Sequence, residues 1–184
     1  MFNPTDFISS ELFAEFIKSL GSLEGKHILD MGSGSGVVSV FAASGGAECI
    51  AADINPMAIR SIKENAELNG YTGKITAVES DLFEALRKDM LFDILFFNPP
   101  YYRGEPKDNF ERAFKGGADL EVIVRFLDKA KNFLKPGGVI YFIVSTDMDI
   151  KELHGMFANA GYKYRAIKEI KKFFETFYIM EIVV

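Results

Sequence analysis

The sequence predicts a doubly wound α/β fold: a mostly parallel seven-stranded sheet with helices on both faces and a C-terminal antiparallel hairpin. Three observations carry this. Short apolar runs alternate with segments of helical periodicity, the pattern of parallel strands joined by crossover helices. A glycine-rich turn, Gly32-Ser33-Gly34-Ser35-Gly36, directly follows the first apolar run. Phe92–Phe97 is apolar at nearly every position, which suits a strand covered on both faces.

Residues 7–20 place Ile8, Leu12, Phe13, Phe16, Ile17 and Leu20 at helical spacing, so an amphipathic helix precedes the sheet. Residues 1–25 thus form a helical lead-in to one domain spanning 1–184. The first strand is 26–31; a helix then runs from the glycine turn to Gly45-Gly46, and 47–53 is the second strand. Asn55 before Pro56 is a cap followed by a first-turn proline, opening a helix through Ile59, Ile62 and Ala66 that stops at Gly70. A short third strand, 74–79, leads into a polar segment at 81–88, and Phe92–Phe97 runs straight into Asn98-Pro99-Pro100-Tyr101. Past a loop to about Ala118, Leu120, Ile123, Leu127, Ala130 and Leu134 share a helix face until Lys135-Pro136-Gly137-Gly138 stops it. The fifth strand is 139–144. Asp149 caps a helix through Leu153, Met156, Phe157 and Ala160 to Gly161, and 162–170 with 173–183 forms the closing hairpin.

A chain of 184 residues can bury one sizeable core without staples, and 48% hydrophobic with 26% charged residues is the composition of a soluble globular protein. No apolar run approaches the roughly 20 residues of a membrane helix, and the N-terminus shows no basic segment before an apolar stretch, so no membrane association and a cytoplasmic location are expected. The lone Cys49 has no second thiol to pair with and reads as buried packing. A net charge of -5 argues against a protein that coats nucleic acid. Lys163–Lys172 is a local exception, with Lys163, Arg165, Lys168, Lys171 and Lys172 against Glu169. It reads as a solvated strand face or as a contact strip for an acidic partner.

The glycine turn lets a ligand approach bare backbone and a helix start. Asp53 ends the second strand about 20 residues on, where Rossmann-like proteins hold a ribose by its hydroxyls. The third glycine, Gly36, comes one position too early for a dinucleotide fingerprint, and Val37 follows it. Asp30, at the end of the first strand, would repel a pyrophosphate and attract the methionine ammonium of a sulfonium cofactor. Together these favour S-adenosylmethionine.

Asn98-Pro99-Pro100-Tyr101 carries the chemistry. The nitrogen of an aromatic amine or an amide is a poor nucleophile because its lone pair is delocalised, so it must be held and reshaped. The Asn98 side-chain oxygen and the Pro99 carbonyl can each accept one hydrogen bond from an NH₂ group and turn its lone pair toward a methyl donor. Proline fixes φ and offers no competing N–H, and Tyr101 supplies a face for a flat substrate. No strong base is required, because the attacked nitrogen becomes acidic as the bond forms. His27 and His154 stand apart from any Cys or acidic partner at metal-ligand spacing, so no metal is expected.

At these residues the chain resembles class I S-adenosylmethionine-dependent methyltransferases, whose first motif is an acidic residue followed by G-x-G-x-G. The resemblance implies that Gly32 and Gly34 line the cofactor, Asp53 binds its ribose, and Asp81 with Leu82 meets its adenine. The Asn98–Tyr101 motif is similar to that of amino methyltransferases: adenine-N6 enzymes of DNA and RNA, guanine-N2 enzymes of ribosomal RNA, and the HemK family, which methylates the glutamine amide of translation release factors. Phe110 to Leu120, with Gly116-Gly117 before a helix, looks like the HemK pattern, although Ala118-Asp119-Leu120 only approximates the usual D-G-L and no separate N-terminal helical domain is present. The expected activity is therefore N-methylation of a planar nitrogen, with a protein glutamine favoured. An RNA or DNA amino group is the alternative, and a non-catalytic cofactor-binding module is a distant third. The resemblance also admits a small helper subunit, as in the eukaryotic and archaeal branch of HemK-like enzymes.

Overall fold

In a computed structural model, residues 5–100, 102–107, 111, 115–172 and 175–184 are described. The elements run α1 (Thr5–Ser19), β1 (His27–Met31), α2 (Val37–Ser44), β2 (Glu48–Asp53), α3 (Pro56–Leu68), β3 (Ile75–Glu79), β4 (Phe92–Phe97), α4 (Glu121–Ala130), β5 (Leu134–Ser145), α5 (Ile150–Asn159), β6 (Lys163–Lys172) and β7 (Glu175–Val183). The strands form one sheet in the order β3-β2-β1-β4-β5-β7-β6. β1 lies parallel to both β2 and β4, while β7 runs antiparallel to β5 and β6. The expected mostly parallel sheet with its closing hairpin is what the chain adopts.

Strand alternation divides the core. Met31, Phe97 and Phe142 face the α4 and α5 side with Phe126 and Phe157, whereas Ile28, Phe96 and Tyr141 face the side of α1, α2 and α3 with Phe13 and Phe16. Two consecutive phenylalanines at the end of β4 therefore serve opposite layers, which is why this strand reads as continuously apolar. Between β1 and β4 the strand order reverses, and the crevice beyond their carboxyl ends is where open α/β sheets take ligands.

Local chemistry explains the helix starts. Asn55 Oδ1 accepts the Met57 amide at 3.0 Å ahead of Pro56, and Asp149 Oδ1 accepts the amides of Lys151 and Glu152 at 2.9 and 3.2 Å. One expected boundary is corrected. Leu134 belongs to β5, not to the face of α4: the helix ends at Ala130, a 3₁₀ turn covers Lys131–Phe133, and Leu134 pairs with Phe92. Phe133 is drawn into a stack with Phe83 at 4.7 Å, which ends the helical path early. The register then slips between Phe92 and Ile94, so that Lys135-Pro136-Gly137-Gly138 forms a bulge inside the strand instead of a helix stop. Gly138 is required there, since a Cβ would lie 2.9 Å from the Lys135 carbonyl oxygen and 3.0 Å from that of Phe92.

β6 lies at the sheet edge and is mostly exposed, with Arg165 paired to Glu181 and Lys171 to Glu169. The basic residues occupy a solvated strand face, a common guard against edge-to-edge pairing. Cys49 is buried, and burial pushes its thiol up to about 12. Among the described residues no helix is long and apolar enough to cross a membrane.

Candidate active site

A cavity of about 910 Å³ opens over the carboxyl ends of β1, β2 and β4. Its floor is the glycine loop after β1. Gly32, Gly34 and Gly36 have φ of +63°, +54° and +80°, a run that side-chain-bearing residues rarely adopt. The loop is held from below: the Ser33 amide donates to the Ala52 carbonyl at 3.1 Å and the Gly36 amide to the Ser33 carbonyl at 2.7 Å. A Cβ on Gly36 would sit 3.3 Å from the backbone of Ile62, so this glycine lets α3 pack closely on the loop. Gly34 faces open space, with nothing within 4 Å of a Cβ built there.

Asp53 ties the loop to β2. One carboxylate oxygen accepts the Gly34 amide at 2.8 Å and the other accepts the Asn55 amide at 2.8 Å. Burial raises its pKa, while the amides of Asn55, Gly34 and Ile54 work in the other direction. Asp53 lines the cavity together with Gly32, Gly34, Asp81 and Leu82. Each carboxylate oxygen keeps a lone pair for a ligand hydroxyl. Asp81 is engaged by Arg125 at 3.0 Å, at a half-exposed position on the cavity rim. Leu82 is a non-glycine residue at φ +52°, held there as Ser80 Oγ donates to its carbonyl at 2.7 Å and accepts the Ala85 amide at 3.0 Å.

Asp30 departs from expectation. It is 3% exposed and does not line the cavity; its carboxylate accepts the Ser39 hydroxyl at 2.7 Å and the Ser39 amide at 3.1 Å instead. The first turn of α2 offers this buried carboxylate two donors, so Asp30 braces the glycine loop against α2. Burial pushes its carboxyl up to about 7.

Beyond β4, Asn98, Pro99 and Pro100 form the cavity wall facing the glycine loop. Asn98 Nδ2 donates to Ser9 Oγ at 3.0 Å and to Ser10 Oγ at 3.3 Å on α1. Tyr101 lies outside the described residues, as do Phe110, Arg112, Ala113 and Phe114 of the segment leading to Gly116-Gly117. The described aromatic lining comes from Phe97 and from Tyr102, whose hydroxyl donates to Asp147 at 3.2 Å.

The return of the chain at Lys115–Gly117 is locked to this wall. Gly116 N–H donates to the Tyr102 carbonyl at 3.0 Å, and Gly104 N–H to the Gly117 carbonyl at 3.0 Å. Gly116 lies so close to the Pro100 carbonyl that a Cβ would stand 2.4 Å from its oxygen. Arg103 reaches across to the Ala118 carbonyl at 2.8 Å and to Glu152 on α5.

Neither histidine lines the cavity: the backbone N–H of His27 donates to Asp93, and the His154 ring packs on Tyr164. Ser9, Ser10, Tyr102 and Arg125 were not anticipated from the sequence. For Ser9 a signal exists. It stands on the same helical stripe as Leu12, Phe13 and Phe16 and is 3% exposed, a polar residue at a core position.

The arrangement matches known proteins along most of its length. The family model for the methyltransferase small domain matches residues 5–174. A Methanocaldococcus jannaschii protein, provisionally named a protein N5-glutamine methyltransferase, is 35% identical over 165 residues, covering 86% of this chain and 82% of that protein. Among solved structures, the E. cuniculi Mtq2–Trm112 complex, described as responsible for methylation of the translation termination factor eRF1, superposes with a TM-score of 0.73. The identity there is 25%, over 98% of this chain and 96% of the other. The fold is shared with the T. thermophilus 16S rRNA N2 G1207 methyltransferase, solved with AdoMet and guanosine, at a TM-score of 0.69 and 24% identity over 98% of this chain but 43% of that one.

Proposed function

We propose a substrate for a chain that belongs to the methyltransferase small domain family and is an S-adenosylmethionine-dependent N-methyltransferase of the HemK-like type: the side-chain amide of a glutamine in a translation termination factor. The observation that carries the planar-nitrogen part of the reading is the setting of Asn98, and the choice of a glutamine amide is supported by the likeness to the M. jannaschii protein and to Mtq2. Its amide hydrogens point at α1, which leaves its oxygen as an acceptor beside the cavity where an NH₂ group would lie.

The residues present fit S-adenosylmethionine. Gly34 leaves open space above bare backbone, and Asp53 stands beside it with lone pairs available for ribose hydroxyls. Gly32 and Gly34 would line the methionine portion, and Asp81 and Leu82 the adenine. When bound, the cofactor supplies an electrophilic methyl on a sulfonium sulfur. The work of the chain is orientation. Asn98 Oδ1 and the Pro99 carbonyl hold the two hydrogens of the target NH₂, so its lone pair, perpendicular to the amide plane, is drawn out of conjugation with the carbonyl and faces across the cavity. Tyr102, which lines the cavity, would flank the flat group. The cytoplasm is the location proposed, where translation factors act. A small helper subunit remains part of the reading, since the Mtq2 chain, which this one matches nearly end to end, was solved with Trm112.

The test is methyl transfer from labelled cofactor to purified release factor, ribosomal RNA, transfer RNA and DNA in parallel, with mass spectrometric mapping of the product. Methylglutamine in the release factor, abolished by Asn98→Ala while calorimetric cofactor binding persists, is the expected result. Loss of one positioned hydrogen-bonding group should reduce the rate by roughly 10² to 10³. Label in RNA or DNA, with an affinity that falls steeply with salt and flattens once Lys163, Lys168 and Lys172 are neutralised, would replace the protein substrate by a nucleic acid.

A further inference from the structure

We infer that Ser9 and Ser10 of α1 are positioning residues for methyl transfer: they fix which end of the Asn98 amide faces the cavity. This rests on the role given to Asn98 above. A primary amide is nearly the same shape either way round, so its oxygen and nitrogen ends are told apart only by their partners. If the amide were reversed, its NH₂ would meet the target NH₂, donor against donor, and the substrate would be rejected.

Two hydroxyl oxygens stand against Nδ2, at 3.0 and 3.3 Å, one for each of its hydrogens. A serine inside a helix commonly gives its own proton to a carbonyl one turn back, and Ser19 of this same helix does so toward Phe16 at 2.6 Å. Such a hydroxyl turns lone pairs outward. With its proton so directed, a hydroxyl at position 9 or 10 accepts from Asn98 Nδ2, and a reversed Asn98 would set its oxygen against lone-pair-bearing oxygens. Among the described residues no donor occupies Asn98 Oδ1, so the acceptor end is left for a ligand.

Adjacent serines point about 100° apart around a helix, and it is unusual for both to reach one side chain. Here they converge because Ser9 is directed into the core and Ser10 toward the cavity rim, with Asn98 at the boundary between them. Packing alone would ask for an apolar side chain at position 9, on the stripe of Leu12, Phe13 and Phe16. The hydroxyl serves the amide.

The test begins with an observable that needs no substrate. In the full-length protein, the Asn98 side-chain NH₂ signals, assigned by their loss in Asn98→Asp, should exchange with solvent slowly. Exchange should accelerate in Ser9→Ala/Ser10→Ala, with thermal melting run beside it to show that the variant is folded. Single-turnover methylation of release factor should then fall about 10-fold or more in the double variant, with cofactor affinity unaltered. Ser10→Thr, which keeps the hydroxyl, should recover most of the rate. In the Asn98→Ala background the serine changes should have no further effect, since the amide they orient is gone. Should Ser9→Ala fail to fold, Ser10→Ala, at the partly exposed position, reads the same quantities. If the Asn98 amide exchanges freely in the parent, or the serine and asparagine effects simply multiply, the proposal is overturned while the role of Asn98 stands. Full turnover by Asn98→Ala would instead overturn both.

Discussion

Gly116→Ala should disable methyl transfer from outside the cofactor site. The new Cβ would lie 2.4 Å from the Pro100 carbonyl oxygen and 3.5 Å from its carbon. That is roughly 1 Å inside ordinary contact distance. The glycine cannot easily retreat, because its N–H is bonded to the Tyr102 carbonyl at 3.0 Å and its carbonyl accepts the Val122 amide at 3.1 Å. Pro100 must therefore move. Two consecutive prolines with fixed φ pass the displacement back to Pro99 and Asn98. Overpacking of this kind costs about 1 to 3 kcal/mol of stability, and a shift near 1 Å in a positioning group costs on the order of 10² in rate. The assay is single-turnover methylation at saturating cofactor, beside calorimetric cofactor affinity and thermal melting. Gly137→Ala is the control: φ is +77° there with nothing within 4 Å, so it should cost about 1 kcal/mol of backbone strain and leave transfer intact. A folded Gly116→Ala that transfers methyl at the parental single-turnover rate would refute the reasoning.

Asp53→Ala should weaken cofactor binding by about 1.5 to 3 kcal/mol, the range for hydrogen bonds to a charged group, and should loosen the Gly34 and Asn55 amides it holds; unchanged affinity by calorimetry would count against it. Asp30 gives a pH signature. Burial sets its folded pKa at about 7 against an unfolded value near 4, so folding takes up a proton between those values. Stability from the neutral form is complete below about pH 4 and is lost as pH rises through about 7. Asp30→Asn should therefore melt like the parent near pH 4 and become the more stable of the two by pH 8, by up to roughly 4 kcal/mol; parallel stability profiles would contradict this.

Features that depend on neighbours along the chain were legible in the sequence. The caps at Asn55 and Asp149, the glycine loop after β1 and the apolar β4 each declare themselves within a few residues. What escaped depends on groups far apart in sequence. Asn98 meets Ser9 and Ser10 across nearly half the chain, and the pattern 7–20 shows only that a helix has an apolar stripe, not which strand end it covers. The sign of the Asp30 expectation was reasonable for a charge at a strand end, but Ser39 competes for that carboxylate from the first turn of α2. Leu134 satisfied the helical spacing of α4 and was taken instead by pairing with Phe92. Gly116 looked like part of a motif; its reason is the carbonyl of Pro100, which only the folded chain brings against it.

The strand order carries a consequence for the order of assembly. β6 joins the sheet only through β7, which lies between it and β5. On a ribosome, Lys163–Lys172 emerges before the strand that will receive it, and it stays an open edge until Glu175–Val183 follows. The β6–β7 turn is local and can close quickly, whereas β1 beside β4 must bring together residues more than sixty positions apart, at greater loop-closure entropy. A strand waiting in this way would recruit another nascent chain if it were apolar. Five basic side chains on it keep the wait harmless by mutual repulsion.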